Sequence, residues 1–194
     1  RLARQAIGDL QLYSDPDCRA LVKVAAEKFG VGENNILFSN GSDEVLNFAC
    51  MAFCDDDTPM AFPSITYGFY PVIANLNKVP YVEIPVNDDF SINVDDYIGI
   101  NKTIFIANPN APTGVTLSVK DIEKIVAGNK NNVVVIDEAY VDFGAESAVY
   151  LTKKYDNLLV MQTFSKSRSL AGGRLGFAIG NEKLIADLNA LKYS

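Results

Sequence analysis

The sequence predicts an α/β fold with three αβα layers, in which helices cover both faces of a mostly parallel sheet. Short apolar runs, such as 104–107 and 133–136, alternate along the chain with longer segments of helical periodicity. Strands without polar positions are typical of a parallel sheet that is buried on both faces. The 194 residues contain no repeat and no linker-like stretch, so we expect one domain over residues 1–194.

The first half of the chain divides into alternating helical and extended segments. Residues 19–29 have an amphipathic pattern that ends at Gly30, a residue favoured just after a helix. Helices are also predicted for 41–53 and for 67–77, where Pro71 lies in the first turn. Strands are predicted at 36–38, 60–62 and 79–85, and a short helix at 94–99.

The second half continues this alternation. A buried strand at 103–107 leads into a rigid turn at 108–114 that contains two prolines. Ser118 is expected to cap a helix that reaches about residue 127, with Asp121 at its third position. The remaining predicted elements are strands at 133–136, 158–161 and 175–180 and a helix at 182–191.

Charge and composition argue against several classes of function. A net charge of −7 disfavours nucleic acids and anionic membranes as partners. The sequence has no histidine, which excludes Ser-His-Asp and Cys-His sets and removes the commonest metal ligand. No apolar run approaches the ~20 residues that span a bilayer, and no signal-peptide pattern is present, so we expect a cytoplasmic protein. Cys18, Cys50 and Cys54 lack zinc-site spacing and are expected to be free thiols, and no metal is expected.

The turns that follow the predicted strands are the places to look for a binding site. In open α/β sheets, ligands bind outside the carboxyl ends of the strands. We therefore expect one site to form from the polar turns after Phe38, Phe62, Ala107, Ile136 and Met161.

The stretch 163–176 carries the strongest functional signal. Lys166 lies in a turn rich in serine and glycine after an apolar strand, and Arg174 follows eight positions later. An amine can condense with an aldehyde, while an arginine and hydroxyls such as Ser165 can bind a phosphate. The pattern suits a phosphorylated aldehyde, and pyridoxal 5′-phosphate is the cofactor that it predicts. An ordinary surface lysine is the alternative.

Two more candidates follow the strand at 133–136. Asp137 stands where a buried strand ends, and a carboxylate there needs a partner, for which a cationic pyridine nitrogen is suitable. Tyr140 could bond an oxygen of the same ring. Taken alone, Asp137 is equally a helix cap or a loop acid, and Tyr140 an ordinary half-buried tyrosine.

Other turns give weaker signals. Gly41, Ser42 and Asp43 open a helix whose free backbone amides can bind an anion, although simple capping also explains them. Tyr67 could stack on a flat ring. The turn that contains Asn110 could be a plain connection between a strand and a helix.

Together these motifs resemble those of the fold-type I pyridoxal-phosphate aminotransferases, and within them the histidinol-phosphate aminotransferase family is most similar. The resemblance extends over essentially all 194 residues. It implies the fold of the large, cofactor-binding domain of these enzymes. The segments that carry it are 40–44, 67–70, 108–114, 137–143 and 163–176.

The resemblance implies a role for each candidate residue. Lys166 would bind the cofactor covalently and move a proton during catalysis, and Asp137 would pair with the pyridine nitrogen. Tyr140 would bond the ring oxygen, and Tyr67 would stack on the ring. The cofactor phosphate would be held by Gly41, Ser42, Asp43, Ser165 and Arg174, and by Tyr13 from the other subunit of a homodimer.

The sequence departs from the family pattern in two respects. The family has an asparagine just before Pro-Thr-Gly that bonds the ring oxygen, and here Ala111 stands in its place. Either Asn110 or Asn108 substitutes for it, or Tyr140 acts alone. The family's N-terminal segment and C-terminal small domain, which carries the arginine for the substrate carboxylate, are also missing. We therefore expect this chain to be the large domain of a longer enzyme.

The function implied by the resemblance is transamination between histidinol phosphate and 2-oxoglutarate, which yields imidazole-acetol phosphate and glutamate. An aromatic or broad-specificity aminotransferase, or an enzyme like the threonine-phosphate decarboxylases, is the alternative within the fold. A domain that binds the cofactor only as a sensor is the alternative of another class. A nicotinamide-binding domain is disfavoured, because no G-x-G-x-x-G follows the first strand.

Overall fold

The protein is built around one seven-stranded sheet with the strand order β1-β7-β6-β5-β4-β2-β3. A computed structural model describes residue 8 and residues 11–192. The strands are β1 (Ile36–Asn40), β2 (Met60–Pro63), β3 (Tyr81–Ile84), β4 (Thr103–Ala107), β5 (Val134–Asp137), β6 (Leu158–Thr163) and β7 (Leu175–Gly180).

Five α-helices accompany the strands in the described part of the chain. They are α1 (Arg19–Phe29), α2 (Ser42–Phe53), α3 (Phe69–Asn77), α4 (Val119–Gly128) and α5 (Glu182–Leu191). Short 3₁₀ helices lie between them at Glu33–Asn35, Val94–Tyr97, Val141–Phe143, Ala148–Lys153 and Ala171–Gly173.

The direction of the strands decides where polar turns can meet. Strands β2 to β6 pair in parallel with their neighbours, whereas β7 pairs antiparallel with both β6 and β1. The predicted mostly parallel sheet is therefore confirmed, with β7 as its single reversed strand. Because β7 is reversed, it begins at the edge where β1, β2, β4, β5 and β6 end.

Alternate side chains of each strand supply two separate apolar cores. On β4, Ile104 and Ile106 pack on one face beneath α1 and α4, whereas Phe105 and Ala107 pack on the other beneath α2, α3 and α5. The helices thus form the two outer layers of the αβα arrangement. A fully buried Ile or Phe contributes about 1.5–3 kcal/mol relative to an exposed one, so the two cores stabilise the sheet from both sides.

Most predicted boundaries are confirmed to within two residues. Gly30, with φ 63°, ends α1, and the Ser118 hydroxyl accepts a hydrogen bond from the Asp121 amide at 3.1 Å at the start of α4. Helix α3 begins at Phe69, later than the predicted residue 67. Strand β3 is shorter than predicted, because the Val79 amide still bonds the Ala74 carbonyl at the end of α3.

The cysteines and the length of the helices bear on the expected location of the protein in the cell. Cys50 and Cys54 are buried and Cys18 is half-buried, and all three are free thiols. Within residues 11–192, no helix has the length and apolar character needed to cross a membrane.

Candidate active site

An open cleft lies at the edge where β4, β5 and β6 end and β7 begins. It encloses about 570 Å³, including the space at its mouth. The lining residues are Ser42, Asp43, Tyr67, Ala107, Pro109, Ala111, Asp137, Ala139, Tyr140, Thr163, Ser165, Lys166 and Arg174.

The predicted convergence of strand-end turns is therefore present in the fold. Residues from the start of α2, from the segment before α3 and from the turns after β4, β5 and β6 line one cleft. Arg174 joins them because the β6–β7 turn lies at this edge, and that follows from the reversed direction of β7.

Lys166 projects from the β6–β7 turn with an exposed side chain. Its Nζ lies 5.2 Å from the centre of the Tyr140 ring, so the amine faces the segment that follows β5. On its N-terminal side, the Ser165 amide donates to the Thr163 hydroxyl at 3.1 Å, and that hydroxyl lies 3.1 Å from the Ser165 hydroxyl. These contacts fix where the turn leaves β6.

Asp137 is a buried carboxylate at the end of β5, with 4% of its surface exposed. It accepts hydrogen bonds from the Ala139 amide at 3.0 Å and from the Tyr70 hydroxyl at 3.3 Å. Burial is the largest effect and raises the pKa of Asp137 to about 6, although the two hydrogen bonds oppose this rise. The nearby charges of Asp43 and Glu138 raise the pKa by smaller amounts. Among the described residues, no lysine or arginine forms an ion pair with Asp137.

Asp43 connects Tyr67 with Arg174 at the other end of the cleft. The Tyr67 hydroxyl donates to the Asp43 carboxylate at 3.2 Å, and the Arg174 guanidinium lies 3.9 Å from the second carboxylate oxygen. Burial and the negative charge of Asp43 raise the pKa of Tyr67 to about 12, so this phenol remains protonated at neutral pH. The arginine lies beside the first turn of α2.

The start of α2 presents backbone amides that no side chain caps. Gly41 precedes the helix with φ 78° and makes no side-chain capping bond. The first amides of a helix lack partners within the helix and attract anions. A side chain at Gly41 would collide with the Arg174 guanidinium, so glycine allows the arginine to approach the helix terminus.

A second glycine holds the two segments together. A methyl group on Gly176 would lie 2.5 Å from both the Gly41 carbonyl carbon and the Ser42 nitrogen. Only a residue without a side chain lets β7 pack against the start of α2 at this distance. The geometry of the anion-attracting end of the cleft therefore depends on Gly176.

We expect Gly176→Ala to destabilise the protein by about 1–3 kcal/mol, because the added methyl forces the backbone of β7 and α2 apart. Urea denaturation of the variant measures this change. Gly172→Ala is the matched control, since a methyl group there meets no atom within 4 Å. Equal stability of the two variants would contradict the close packing of Gly176.

Asn110 does not line the cleft. Its amide nitrogen donates to the Ile65 carbonyl and to the Thr113 hydroxyl, both at 2.9 Å, and its oxygen accepts from the Thr66 hydroxyl at 2.7 Å. These bonds tie the turn after β4 to the turn after β2. Asn110 thus stabilises the two turns beside the cleft without contacting the cleft itself.

Asn108 and Tyr13 also lie apart from the cleft. The Asn108 side chain is buried and bonds both the amide and the carbonyl of Leu117, at 2.8 and 3.2 Å. Tyr13 is fully exposed in this single chain. Neither asparagine is among the residues that line the cleft, whereas Ala111 and Tyr140 both line it.

Several residues of the site are absent from the sequence-based set. Thr163, Pro109 and Ala139 line the cleft, and Tyr70 supports Asp137 from below. Tyr70 lies three residues after Tyr67, at the start of α3, so the helical period could have placed both on one face. Thr163 could have been found as the last residue before the serine-lysine turn.

The described residues contain no group of three or more Asp, Glu or Cys side chains arranged to hold a metal ion. The donors that converge in the cleft are backbone amides, hydroxyls, one lysine and one arginine, with Asp137 as a buried anion. Such a set suits an organic ligand with an anionic end and a cationic centre.

The sheet and this grouping of side chains define the class of protein as an α/β fold of the pyridoxal-phosphate-dependent transferase type. The profile of the family described as aminotransferase class I and II matches residues 1–194. The chain belongs to this family.

Curated relatives agree with the family assignment. The histidinol-phosphate aminotransferase of Brachyspira hyodysenteriae is 56% identical over 187 residues, which cover 96% of this chain and 53% of the relative. That of Clostridium botulinum strain Kyoto is 50% identical over 186 residues, 96% of this chain and 52% of the relative. The chain therefore spans about half the length of the curated relatives that it matches.

Solved structures share the fold. Histidinol-phosphate aminotransferase from Sinorhizobium meliloti, in complex with pyridoxal-5′-phosphate, superposes with a TM-score of 0.88 at 22% identity, covering 96% of this chain and 53% of that one. L-threonine-O-3-phosphate decarboxylase from Porphyromonas gingivalis gives a TM-score of 0.86 at 22% identity, covering 98% and 62%.

Proposed function

We propose that the protein binds pyridoxal 5′-phosphate in this cleft and takes part in transamination. The observation that carries the proposal is the buried Asp137 carboxylate, which lines the same cleft as Lys166 and forms no ion pair among the described residues. A buried anion without a cation is costly, and a protonated pyridine nitrogen would supply the missing charge.

The residues of the cleft fit this cofactor from end to end. The free amides of Ser42 and Asp43, the Ser165 hydroxyl and the Arg174 guanidinium would hold the phosphate, with Gly41 leaving room for the arginine. The Asp43 carboxylate would not contact the phosphate but would hold the Tyr67 and Arg174 side chains in place. Its bond to Tyr67 supports a role for that ring as a wall of the cofactor site.

The remaining residues would carry the chemistry. When bound, the cofactor supplies an electron sink that stabilises negative charge on the substrate α-carbon. Lys166 would bind the cofactor aldehyde through Nζ and later carry a proton on the same atom. Asp137 would hold a proton on the ring nitrogen, and Tyr140 would donate to the ring oxygen where the family's asparagine is replaced by Ala111.

We propose histidinol phosphate and 2-oxoglutarate as the substrates, with imidazole-acetol phosphate and glutamate as the products of this step of histidine biosynthesis. The two curated relatives described above, both named histidinol-phosphate aminotransferase, favour this choice over an aromatic or broad-specificity aminotransferase. They also favour it over the decarboxylase, whose likeness lies in the fold, and over a sensor domain.

The unit that carries this function is proposed to be one cofactor-binding domain over residues 1–194. An active homodimer is proposed, in which the exposed Tyr13 reaches the cofactor phosphate of the partner subunit. The residue that binds the substrate carboxylate is proposed to lie outside these residues. Three free cysteines favour the reducing environment of the cytoplasm.

The test is to titrate the purified protein with pyridoxal 5′-phosphate and to record the visible absorbance. We expect a new absorption band, because the Lys166 amine reacts with the aldehyde of the bound cofactor. Pyridoxine 5′-phosphate, which has the phosphate but no aldehyde, is the control and should compete without producing the band. A spectrum equal to that of the free cofactor would overturn the proposal.

A further inference from the structure

A polar network beneath the cleft joins the turn of Lys166 to the segment of Tyr140. It begins at Glu138, which is 1% exposed and accepts bonds from the Ser147 hydroxyl, the Ala148 amide and the Gln162 amide nitrogen, at 2.7, 2.6 and 2.7 Å. Burial raises the pKa of Glu138, although these bonds oppose the rise. The network continues from Gln162 to Arg168.

Arg168 connects two acceptors with one guanidinium. Its Nη2 donates to the side-chain oxygen of Gln162 at 2.7 Å. Its Nε and Nη2 donate to the two carboxylate oxygens of Asp142 at 3.0 and 3.3 Å. Its plane lies over Phe164 and Phe177, with its central carbon 5.1 and 5.6 Å from the ring centres. With 21% of the side chain exposed, this arginine is packed rather than solvated.

The network connects residues that lie close to Lys166 and to Tyr140 in the chain. Arg168 lies two residues after Lys166, and Asp142 lies two residues after Tyr140. The Ser167 hydroxyl donates to the same Asp142 carboxylate at 2.5 Å. The two residues that follow Lys166 are thus both hydrogen-bonded to the 3₁₀ helix that follows Tyr140.

We infer that Arg168 is a positioning residue for Lys166, which fixes the turn carrying the amine against the segment carrying Tyr140 through its bonds to Asp142 and Gln162. The inference rests on the proposed function, because it assigns the purpose of the network to the capture of the cofactor by Lys166. A planar fork is needed, since a lysine ammonium cannot reach both acceptors in the same plane.

The test compares how fast variants attach pyridoxal 5′-phosphate, followed by stopped-flow visible absorbance. We expect Arg168→Met to attach it about 10–100-fold more slowly, because the amine is no longer held in the reactive orientation. Arg168→Lys should give an intermediate rate. Arg19→Met is the matched control, since Arg19 is an exposed arginine that pairs with Asp15, and it should react at the wild-type rate.

A melting curve of each cofactor-free variant separates positioning from stability. A lower melting temperature of Arg168→Met with an unchanged attachment rate would mean that the network is only structural, and would overturn the inference. If Arg168→Met does not fold, Asp142→Asn replaces it, because this side chain is 39% exposed and the bond from Arg168 to Gln162 remains. A wild-type rate in Asp142→Asn would overturn the inference as well, whereas failure of the wild-type protein to attach the cofactor would overturn the proposed function itself.

Discussion

Replacing Lys166 with alanine is expected to abolish covalent capture of pyridoxal 5′-phosphate and to lower transamination by about 10⁴–10⁶-fold, as removal of a covalent catalytic group does. Among the cleft-lining residues, Lys166 is the single primary amine. The residues proposed to hold the phosphate are unchanged in this variant, so it should still bind the cofactor, without the visible band. Absorbance and equilibrium dialysis measure the two effects separately.

Lys120→Ala is the matched control for this variant. Lys120 is an exposed lysine on α4, a helix that contributes nothing to the lining of the cleft. It should retain the band and the activity of the unmodified protein. A band that persists in Lys166→Ala and is reduced by borohydride would contradict the role of Lys166.

Replacing Asp137 with asparagine should lower transamination by about 10²–10³-fold, the size of effect seen when a preorganised electrostatic group is removed. Asparagine keeps the shape of the side chain and an oxygen that can accept from the Ala139 amide. It loses the charge that would hold a proton on the ring nitrogen. Activity assays on cofactor-saturated protein measure this loss.

The same substitution should stabilise the cofactor-free protein above pH 6. The pKa of Asp137 is about 6 in the fold against a reference of 3.8, so the folded state holds an extra proton between these values. The contribution of Asp137 to stability therefore falls as the pH rises from about 4 to 6. The free energy of unfolding decreases by up to about 3 kcal/mol over this range, and Asp137→Asn does not show this decrease because asparagine does not ionise.

Denaturation of both proteins from pH 3.5 to 7.5 tests this sign. The stability of Asp137→Asn relative to the unmodified protein should increase from pH 4 to 6 and remain constant above. Asp121→Asn is a control of opposite sign, because Lys124 and Ser118 lower the pKa of Asp121 and its stabilising effect is lost as the pH falls. A difference for Asp137→Asn that does not vary with pH would contradict the raised pKa.

The strand ends could be predicted from sequence because their signals are local. Apolar runs predicted β5 and β6, and the polar residues near their carboxyl ends, Asp137 and Lys166, had to emerge at one edge of a parallel sheet. The glycines and serines around Lys166 indicated a ligand-binding turn. These inferences needed no knowledge of contacts between distant residues.

The parts that could not be predicted depend on distant contacts. The reversed direction of β7 follows from its pairing with β1, about 140 residues earlier in the chain, and brings Arg174 to the cleft. Asn110 was one of the residues expected to replace the family's asparagine, but its polar atoms form hydrogen bonds with Ile65 and Thr66 from another turn. No local pattern indicates that a side chain will be used in this way.

The most direct test of Lys166 as the residue that captures the cofactor is to treat the protein and pyridoxal 5′-phosphate with borohydride and to map the modified peptide by mass spectrometry. We expect a single pyridoxyl group, on Lys166, and none when pyridoxine 5′-phosphate is used instead. A modification spread over other lysines, or concentrated on one outside the β6–β7 turn, would contradict the role of Lys166.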